Sequence, residues 1–189
     1  MKLNQISTKT SFNRYPEIFN EIKEIIPNPK KILSFGCSTG LECKTLSKIY
    51  YPDSKIIGLD IDKKIINKNK IRNKSENIEY YSKINKLNTD FDLIFAMSVL
   101  CRYGKNVNED YYTFEIFQET LKSIDNLLNK DGYLCIYNSK YLFTETKLFK
   151  QKYKIVETKF KESGFVPKYR YDNKKIKKKF SYFLFKKIV

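Results

Sequence analysis

Short apolar runs alternate with amphipathic helical patterns along most of the chain, and this alternation limits the fold more than any other feature. The apolar runs, which we predict to be strands, lie at residues 31–35, 56–59, 77–81, 91–97 and 133–137. The helical patterns lie at residues 16–26, 41–50, 63–72 and 114–128. This order predicts an α/β fold with a single Rossmann-like, doubly wound, mostly parallel sheet and helices on both faces.

The final third of the chain is β-rich at residues 153–158 and 180–185, with Gly164 and Pro167 between these segments. We predict that they close one side of the sheet and supply an antiparallel edge strand near the C-terminus. The chain has 189 residues and six glycines, with no internal repeat or flexible linker. A single domain over residues 1–189 is therefore expected.

The composition excludes several kinds of chemistry. There is no histidine, and the four cysteines are scattered without a CxxC pair, so we expect neither a metal site nor an imidazole base. No run approaches the roughly 20 apolar residues of a membrane helix, and the N-terminus lacks a signal-peptide pattern. We expect a soluble cytoplasmic protein without membrane contact, whose chemistry rests on positioning, carboxylates, hydroxyls or a cofactor.

The net charge of +16 has two explanations. A clustered basic surface attracts the phosphates of nucleic acid, and residues 174–179 contain the densest lysine run. The excess is nearly all lysine, however, and accompanies abundant asparagine and isoleucine, the joint bias that an AT-rich genome produces. We favour a solvated lysine surface and keep nucleic acid as the less favoured partner.

A small-residue loop follows the first predicted strand in the sequence ILSFGCSTG, residues 32–40. Gly36 and Gly40 would let a ligand approach the backbone where the next helix opens. Asp60 ends the second strand 20 residues after Gly40, the spacing at which an acidic side chain accepts ribose hydroxyls. Loop and acid together predict a nucleoside pocket. The alternative for Asp60 is a cap on the following helix, a role that Asp62 could also fill.

Four segments in order, GCSTG after ILSF, GLDID, FDLIFAMSVL and LLNKDGYLCIYNS, resemble the motifs of class I S-adenosylmethionine-dependent methyltransferases. The resemblance covers about residues 30–139 and implies S-adenosylmethionine as cofactor, with Gly36, Cys37, Ser38 and Gly40 in its loop. A nicotinamide enzyme uses the same logic of loop and acid, but this loop lacks the third glycine of GxGxxG.

A narrower resemblance concerns the chemotaxis-receptor methyltransferases, whose cofactor loop reads GCSTGEE; here it reads GCSTGLE, and Thr10, Phe12 and Arg14 precede it. The resemblance implies that Thr10 and Arg14 fold over the cofactor, within an N-terminal helical lid of residues 1–29 ahead of a core of residues 30–189. It also implies that Glu42 lies near the methionine end of the cofactor. Leu41, Met97 and Ser98 depart from the pattern, so receptor glutamate methylation is not expected.

The remaining candidate positions follow from the same resemblance and from the carboxyl edge of the sheet, where open α/β folds bind ligands. Residues expected to flank the adenine are Ile61, Ser82, Lys83 and Ile84. The transfer centre is expected to be lined by Met97, Ser98, Val99 and Leu100. Candidates for contact with the acceptor are Arg102, Tyr103, Asp110, Tyr111, Tyr112, Asn138, Tyr141 and Phe143.

These observations predict a methyltransferase that acts on a small-molecule or protein acceptor. The motif NPPY or DPPY, with which amino-methylating nucleic-acid enzymes grip a planar amine, is absent after the fourth strand, where AMSV stands. A basic RNA-binding methyltransferase and a non-catalytic Rossmann-like cofactor-binding module are the alternatives. Methyl transfer from a sulfonium is an in-line displacement, so a site without histidine is adequate.

Overall fold

A computed structural model describes residues 9–88, 90–102, 112–177 and 180–189 of the chain. The strands are β1 Lys31–Phe35, β2 Lys55–Leu59, β3 Ile78–Tyr81, β4 Phe91–Met97, β5 Leu128–Tyr137, β6 Tyr153–Ile155 and β7 Leu184–Lys187. The helices are α1 Pro16–Ile25, α2 Leu41–Thr45, α3 Lys63–Arg72, α4 Phe114–Asp125 and α5 Lys147–Lys152.

The seven strands form one sheet in the order β3-β2-β1-β4-β5-β7-β6. β1 lies at the centre between β2 and β4, parallel to both, with Leu33 beside Ile57 on one side and Ile94 on the other. β7 runs antiparallel to β5 and to β6, which forms the outer edge. The predicted fold class is confirmed, including antiparallel pairing near the C-terminus. None of the described helices has the length and apolar character needed to cross a membrane.

Alternate side chains of the central strands enter two separate hydrophobic cores. Ile32 belongs to the core under α1, α2 and α3, whereas Leu33 belongs to the core under α4. On the first face, Phe19 of α1 is 1% exposed and packs edge-on against Phe95 of β4, with ring centroids 5.4 Å apart. Burial on both faces explains why the central strands are apolar nearly throughout.

Three local expectations differ from the structure. Residues 129–132, which separate the helix predicted over 114–128 from the strand predicted over 133–137, lie inside β5, as an irregularity in which the pairing shifts between Phe91 and Leu93 and Asp131 has a φ of 64°. The helix expected over 41–50 changes after Thr45 into a π-helical turn, Leu46–Tyr50. Ile71, an apolar residue of the helical pattern over 63–72, is 80% exposed, because the buried positions of that helix are Ile66 and Asn69.

A buried ionic cluster fastens the end of α4 to the last two strands. The Asp125 carboxylate is 4% exposed and lies 2.8 Å from Lys152 Nζ and 3.0 Å from Lys187 Nζ. It also accepts a hydrogen bond from the Tyr153 hydroxyl at 2.8 Å. Burial acts to raise the pKa of Asp125, but the hydrogen bonds from Lys152, Tyr153 and Lys187 outweigh it and lower this pKa.

Replacing Asp125 with alanine should destabilise the fold by about 3 kcal/mol, because it leaves the Lys187 ammonium, 11% exposed, without its carboxylate. Urea denaturation followed by circular dichroism measures the loss. Glu24→Ala is the matched control, since it removes an ion pair with Lys159 that is exposed on both sides. Equal midpoints for the two variants would contradict the assigned role of Asp125.

Candidate active site at the carboxyl edge

Three neighbouring strands of the sheet end in a residue with left-handed backbone geometry. Gly36 after β1 has a φ of 78°, Ser98 after β4 a φ of 56° and Asn138 after β5 a φ of 58°. Such angles are rare for residues with a side chain and concentrate at functional sites. Because these strands are adjacent and parallel, the three turns lie side by side at the carboxyl edge of the sheet.

The two glycines of the loop after β1 are required by contacts within the protein. A Cβ at Gly36 would lie 2.3 Å from Cγ2 of Val99, which follows β4. A Cβ at Gly40, also with a φ of 78°, would lie 2.7 Å from the Tyr80 hydroxyl. A neighbouring side chain thus occupies the space in the Cβ direction of each glycine, and the expected approach of a ligand to the backbone of this loop stays a prediction.

Asparagine side chains of α3 hold the loop in place. Asn69 donates to the Ser38 carbonyl at 2.7 Å, and Asn73 donates to the Thr39 carbonyl at 2.9 Å. Neither residue was predicted from the sequence. The signal available in the sequence was their spacing of four residues, which places Asn69 and the C-cap residue Asn73 on the same side of a helix that is otherwise rich in lysine.

The structure separates the two acidic residues at the end of β2. Asp62 caps α3 by accepting hydrogen bonds from Lys64 N at 2.8 Å and Ile65 N at 3.2 Å. Asp60 instead accepts from Ser38 N at 2.8 Å and from Asp62 N at 3.0 Å. A carboxylate offers about four lone-pair positions, so Asp60 retains capacity for hydroxyl donors beside the loop. The residues present thus fit a nucleoside-containing cofactor.

Glu42, on the first turn of α2, has a carboxyl group with a raised pKa. Its Oε1 accepts a hydrogen bond from the Ser34 hydroxyl at 2.6 Å. Burial raises the pKa of Glu42 to about 7, although the Ser34 hydroxyl and the Arg14 charge both act to lower it. The group therefore titrates near neutrality.

Cys37 lies with its thiol in the core, and burial holds the pKa of this thiol well above its usual value. Any contact of Cys37 with a cofactor would come from its backbone. Among the described residues, no group of three or more histidine, cysteine, aspartate or glutamate side chains forms a metal-binding cluster.

The segment before α1 is fastened beside the loop. Asn13 N donates to the Thr45 hydroxyl at 2.8 Å, and the Tyr50 hydroxyl donates to Asn13 Oδ1 at 2.9 Å. Arg14 donates to the Lys9 carbonyl at 2.8 Å and places its guanidinium 5.0 Å from the centre of the Tyr15 ring. Thr10, the other residue of the expected lid, is half-buried.

A hydrogen-bonded chain of three side chains spans the ends of β4 and β5. The Tyr15 hydroxyl lies 2.9 Å from Ser98 Oγ, and Asn138 Nδ2 donates to the same oxygen at 2.8 Å. The Tyr15 ring also packs edge-on against Tyr137, with centroids 5.1 Å apart. Tyr15 was not predicted, because nothing in the sequence distinguishes it among 15 tyrosines.

The expected acceptor-side residues do not all lie at the surface of this edge. Asn138 is buried at the site, and Arg102 is half-buried. Three further candidates, Tyr112, Tyr141 and Phe143, are 2% exposed or less and belong to the core under α4. Their burial does not match the prediction that they contact the acceptor. Tyr103, Asp110 and Tyr111 lie outside the described residues.

The positions expected near the adenine lie at the ends of β2 and β3. Ile61 is 36% exposed directly after Asp60, and Ser82, Lys83 and Ile84 follow β3. The end of β4 supplies the expected transfer-centre positions: Met97 and Leu100 are buried, whereas Ser98 and Val99 are half-buried.

Comparison with known proteins extends these observations. A family model described as a methyltransferase domain matches residues 27–183. A TehB-like SAM-dependent methyltransferase from Corynebacterium glutamicum is similar in structure at 22% identity and a TM-score of 0.56, over 89% of this chain and 86% of that one. SAM-bound CalS10, an amino pentose methyltransferase from Micromonospora echinaspora, matches at 16% identity and a TM-score of 0.48, over 67% of this chain and 50% of that one. This chain thus spans half the length of CalS10. No curated protein sequence is significantly similar.

The sheet order is the Rossmann-like one that was predicted, and the match to a methyltransferase-domain model agrees with the predicted class of protein. The chain belongs to the methyltransferase-domain family. The narrower resemblance to the chemotaxis-receptor methyltransferases finds no support in these comparisons.

The raised pKa of Glu42 predicts a stability that falls as pH rises. The unfolded group titrates near 4.5 and the folded group near 7, so the stabilisation from the neutral carboxyl is complete below pH 4.5 and is lost as pH rises through 7. Glu42→Gln, which cannot ionise, should lie within about 1 kcal/mol of the wild type at pH 5 and exceed it by about 3 kcal/mol at pH 8 in urea denaturation. Glu119→Gln, an exposed change on α4, is the control. Parallel pH profiles for Glu42→Gln and the wild type would refute the assignment.

Proposed function

We propose that this protein transfers the methyl group of S-adenosylmethionine to a small molecule or a protein side chain at the carboxyl ends of β4 and β5. The observation that carries the proposal is the chain Tyr15, Ser98 and Asn138, which lies beside the cofactor loop on adjacent strand ends. Ser98 and Asn138 both have left-handed backbone angles and hydrogen-bond to each other, so the geometry of this edge is fixed without a ligand.

The cofactor positions follow the edge of the sheet from β3 to β4. The Asp60 carboxylate would accept the ribose hydroxyls, and the exposed apolar surface of Ile61 would cover one face of the adenine, with Ser82 and Lys83 on the other side. The loop of Gly36, Cys37, Ser38 and Gly40 would supply backbone contacts. Glu42 and Arg14, close enough for the Arg14 charge to lower the pKa of Glu42, would meet the ammonium and carboxylate of the methionine end.

The residues of the edge contribute by positioning. The bound cofactor supplies an electrophilic methyl group on a sulfonium, and its transfer requires alignment of an incoming nucleophile. Tyr15 and Asn138 hold the Ser98 hydroxyl, and with it the backbone that ends β4. Tyr15 also covers this edge and would reduce the access of water.

Part of the excess positive charge lies away from the site. Lys31 and Lys55 lie at the amino ends of β1 and β2, opposite the site, and Lys159 and Lys186 lie near the C-terminal strands. Each of these four lysines is paired with an acidic side chain. Such pairs favour a solvated surface at these positions, whereas RNA binding would require a basic stripe beside the site.

Incubating the purified protein with methyl-labelled S-adenosylmethionine and fractionated cell extract tests the function. Label should enter a small-molecule or protein fraction. Asp60→Ala should weaken cofactor binding by about tenfold to a hundredfold in calorimetry, since a hydrogen bond to a charged group is worth roughly 1.5 to 3 kcal/mol. Asp62→Ala, which removes only the helix cap, is the matched control and should retain the affinity.

The outcomes separate the candidate functions. Label in RNA would favour the RNA-binding methyltransferase, and cofactor binding without transfer to any fraction would favour the non-catalytic module. Absence of binding at millimolar cofactor, or equal affinity for Asp60→Ala and Asp62→Ala, would contradict the proposed cofactor site.

The segment before α1 should act as a cover over the cofactor. Arg14→Ala should bind cofactor several-fold more weakly while keeping its melting temperature, because a charge-assisted pair with the cofactor carboxylate is lost. Arg72→Ala at the exposed end of α3 is the control. Cofactor should also slow trypsin cleavage after Lys9 and Arg14. Unchanged cleavage together with normal affinity in Arg14→Ala would remove the cover from the proposal.

A further inference from the structure

A cavity of about 430 Å³ lies against the end of β5, between residues 161–168 on one side and Ile176, Lys177 and Phe180 on the other. Its apolar wall includes Tyr137, Phe165 and Phe180, and its charged wall includes Lys168 and Lys177. None of the residues in this cavity wall was predicted from the sequence as a binding residue. The cavity is large enough for a two-ring organic molecule, within the usual range for small-molecule sites.

The wall of this cavity is built by Asn138. Its Oδ1 accepts hydrogen bonds from Phe165 N at 2.7 Å and Val166 N at 3.4 Å. Gly164 has a φ of 107°, and a Cβ there would lie 1.9 Å from the same Oδ1. The segment can approach Asn138 this closely only because residue 164 is glycine.

The same asparagine connects the cavity to the proposed transfer centre. While Oδ1 holds the cavity wall, Nδ2 donates to Ser98 Oγ at the end of β4. Tyr137, which lines the cavity, contacts the Tyr15 ring on the other side. One side-chain amide therefore separates the cavity from the Tyr15 and Ser98 hydroxyls.

Lys168 places a buried positive charge in the cavity wall. The residue is 7% exposed, and its Nζ donates to the Ser139 carbonyl at 2.7 Å and the Ser163 carbonyl at 3.1 Å. An ammonium has three donors, so one remains beyond these two described acceptors. Burial lowers the pKa of Lys168 to about 8, which leaves the group largely protonated at neutral pH.

The lining as a whole favours an anion with an apolar body. Three lysines and one glutamate line the cavity, and Lys177 lies exposed on its rim. Phe165 is 63% exposed, an aromatic ring left at the opening. One buried ammonium group, two exposed ones and aromatic rings in one small cavity complement a molecule that carries both a ring and a carboxylate.

We propose that this cavity binds the methyl acceptor, and that the acceptor is a small molecule with a flat apolar body and a carboxylate or comparable anionic group. The proposal rests on the proposed function and names its substrate class. Lys168 and Lys177 bind the anionic group, Phe165 packs on the apolar body, and Asn138 positions the wall relative to Ser98.

Calorimetric titration with two matched probes tests the proposal, using the full chain saturated with S-adenosylhomocysteine. Naphthalene-2-carboxylate should bind about tenfold more tightly than naphthalene-2-carboxamide, which has the same rings and no charge. Lys177→Gln should weaken the carboxylate several-fold and leave the amide unchanged. Lys175→Gln, an exposed lysine outside the cavity wall, is the control and should change neither affinity.

Two further variants probe the wall. Phe165→Ala should weaken both probes alike, because it removes the shared apolar contact, and Lys168→Met should weaken only the carboxylate. Circular dichroism shows whether the Lys168→Met variant folds. If it does not fold, the variants at Lys177 and Phe165 still test the proposal, because both positions are exposed. Equal affinity for the two probes, or equal effects of Lys177→Gln and Lys175→Gln, would overturn the proposal.

The titration also separates this proposal from the broader function. Binding of S-adenosylhomocysteine without binding of either probe would remove the cavity as the acceptor site and leave the methyltransferase assignment intact. A preceding titration of the full chain with S-adenosylhomocysteine alone that shows no binding would overturn the proposed function, and the acceptor role with it, even if a probe binds. Naphthalene-2-carboxylate should also inhibit transfer of the labelled methyl group to the extract fraction that accepts it. This result would support both the methyltransferase function and the acceptor cavity.

Discussion

The left-handed turns that end β1, β4 and β5 are the constraint on which the rest of the site depends. The carboxyl ends of parallel strands lie at one edge of the sheet, and the backbone must turn away there if space for a ligand is to remain. Gly36, Ser98 and Asn138 turn the backbone at the first residue after each strand. Left-handed geometry is costly for serine and asparagine, so it persists only because neighbouring contacts fix it. The Ser98 amide bonds to the Tyr137 carbonyl, which ties one turn to the adjacent strand.

The Asn138 side chain holds both the Ser98 hydroxyl and the segment at Phe165. An amide side chain has both an acceptor and a donor end, and here the ends face different parts of the molecule. A shift of the segment at Phe165 would therefore act on Ser98 through a single rigid group. Buried polar networks of this kind specify one arrangement only when every member is satisfied. The left-handed Asn138 and the close approach of Gly164 are the local features that satisfy this network.

Periodicity and spacing were sufficient to predict the sheet, because each strand and helix buries a face that its own residues define. β1, α3 and β4 have the bounds expected from the pattern. The loop and Asp60 could be proposed together because they follow consecutive strands, and Asp60 does accept a hydrogen bond from Ser38 N of that loop; their role toward a cofactor stays a prediction. Tyr15, Asn69 and the cavity near Phe165 could not be found in this way. Their roles depend on contacts between distant parts of the chain, such as the 83 residues between Tyr15 and Ser98, and no local pattern records such a contact.

The N-terminal region divides into a fixed helix and a shorter segment ahead of it, and this limits how the site can open. Phe19 of α1 lies in the core, and Glu21 accepts a hydrogen bond from Phe160 N at 2.9 Å, so α1 is part of the folded layer. Only the residues before Pro16 can move without breaking that layer. In this segment, Asn13 is hydrogen-bonded to Thr45 and Tyr50, and Tyr15 is hydrogen-bonded to Ser98. An opening that begins ahead of Asn13 breaks the hydrogen bond between Arg14 and Lys9, whereas a wider opening must also break the hydrogen bond between Tyr15 and Ser98 at the end of β4. Under the proposed function, the same short segment would therefore control both access to the cofactor and order at the transfer centre.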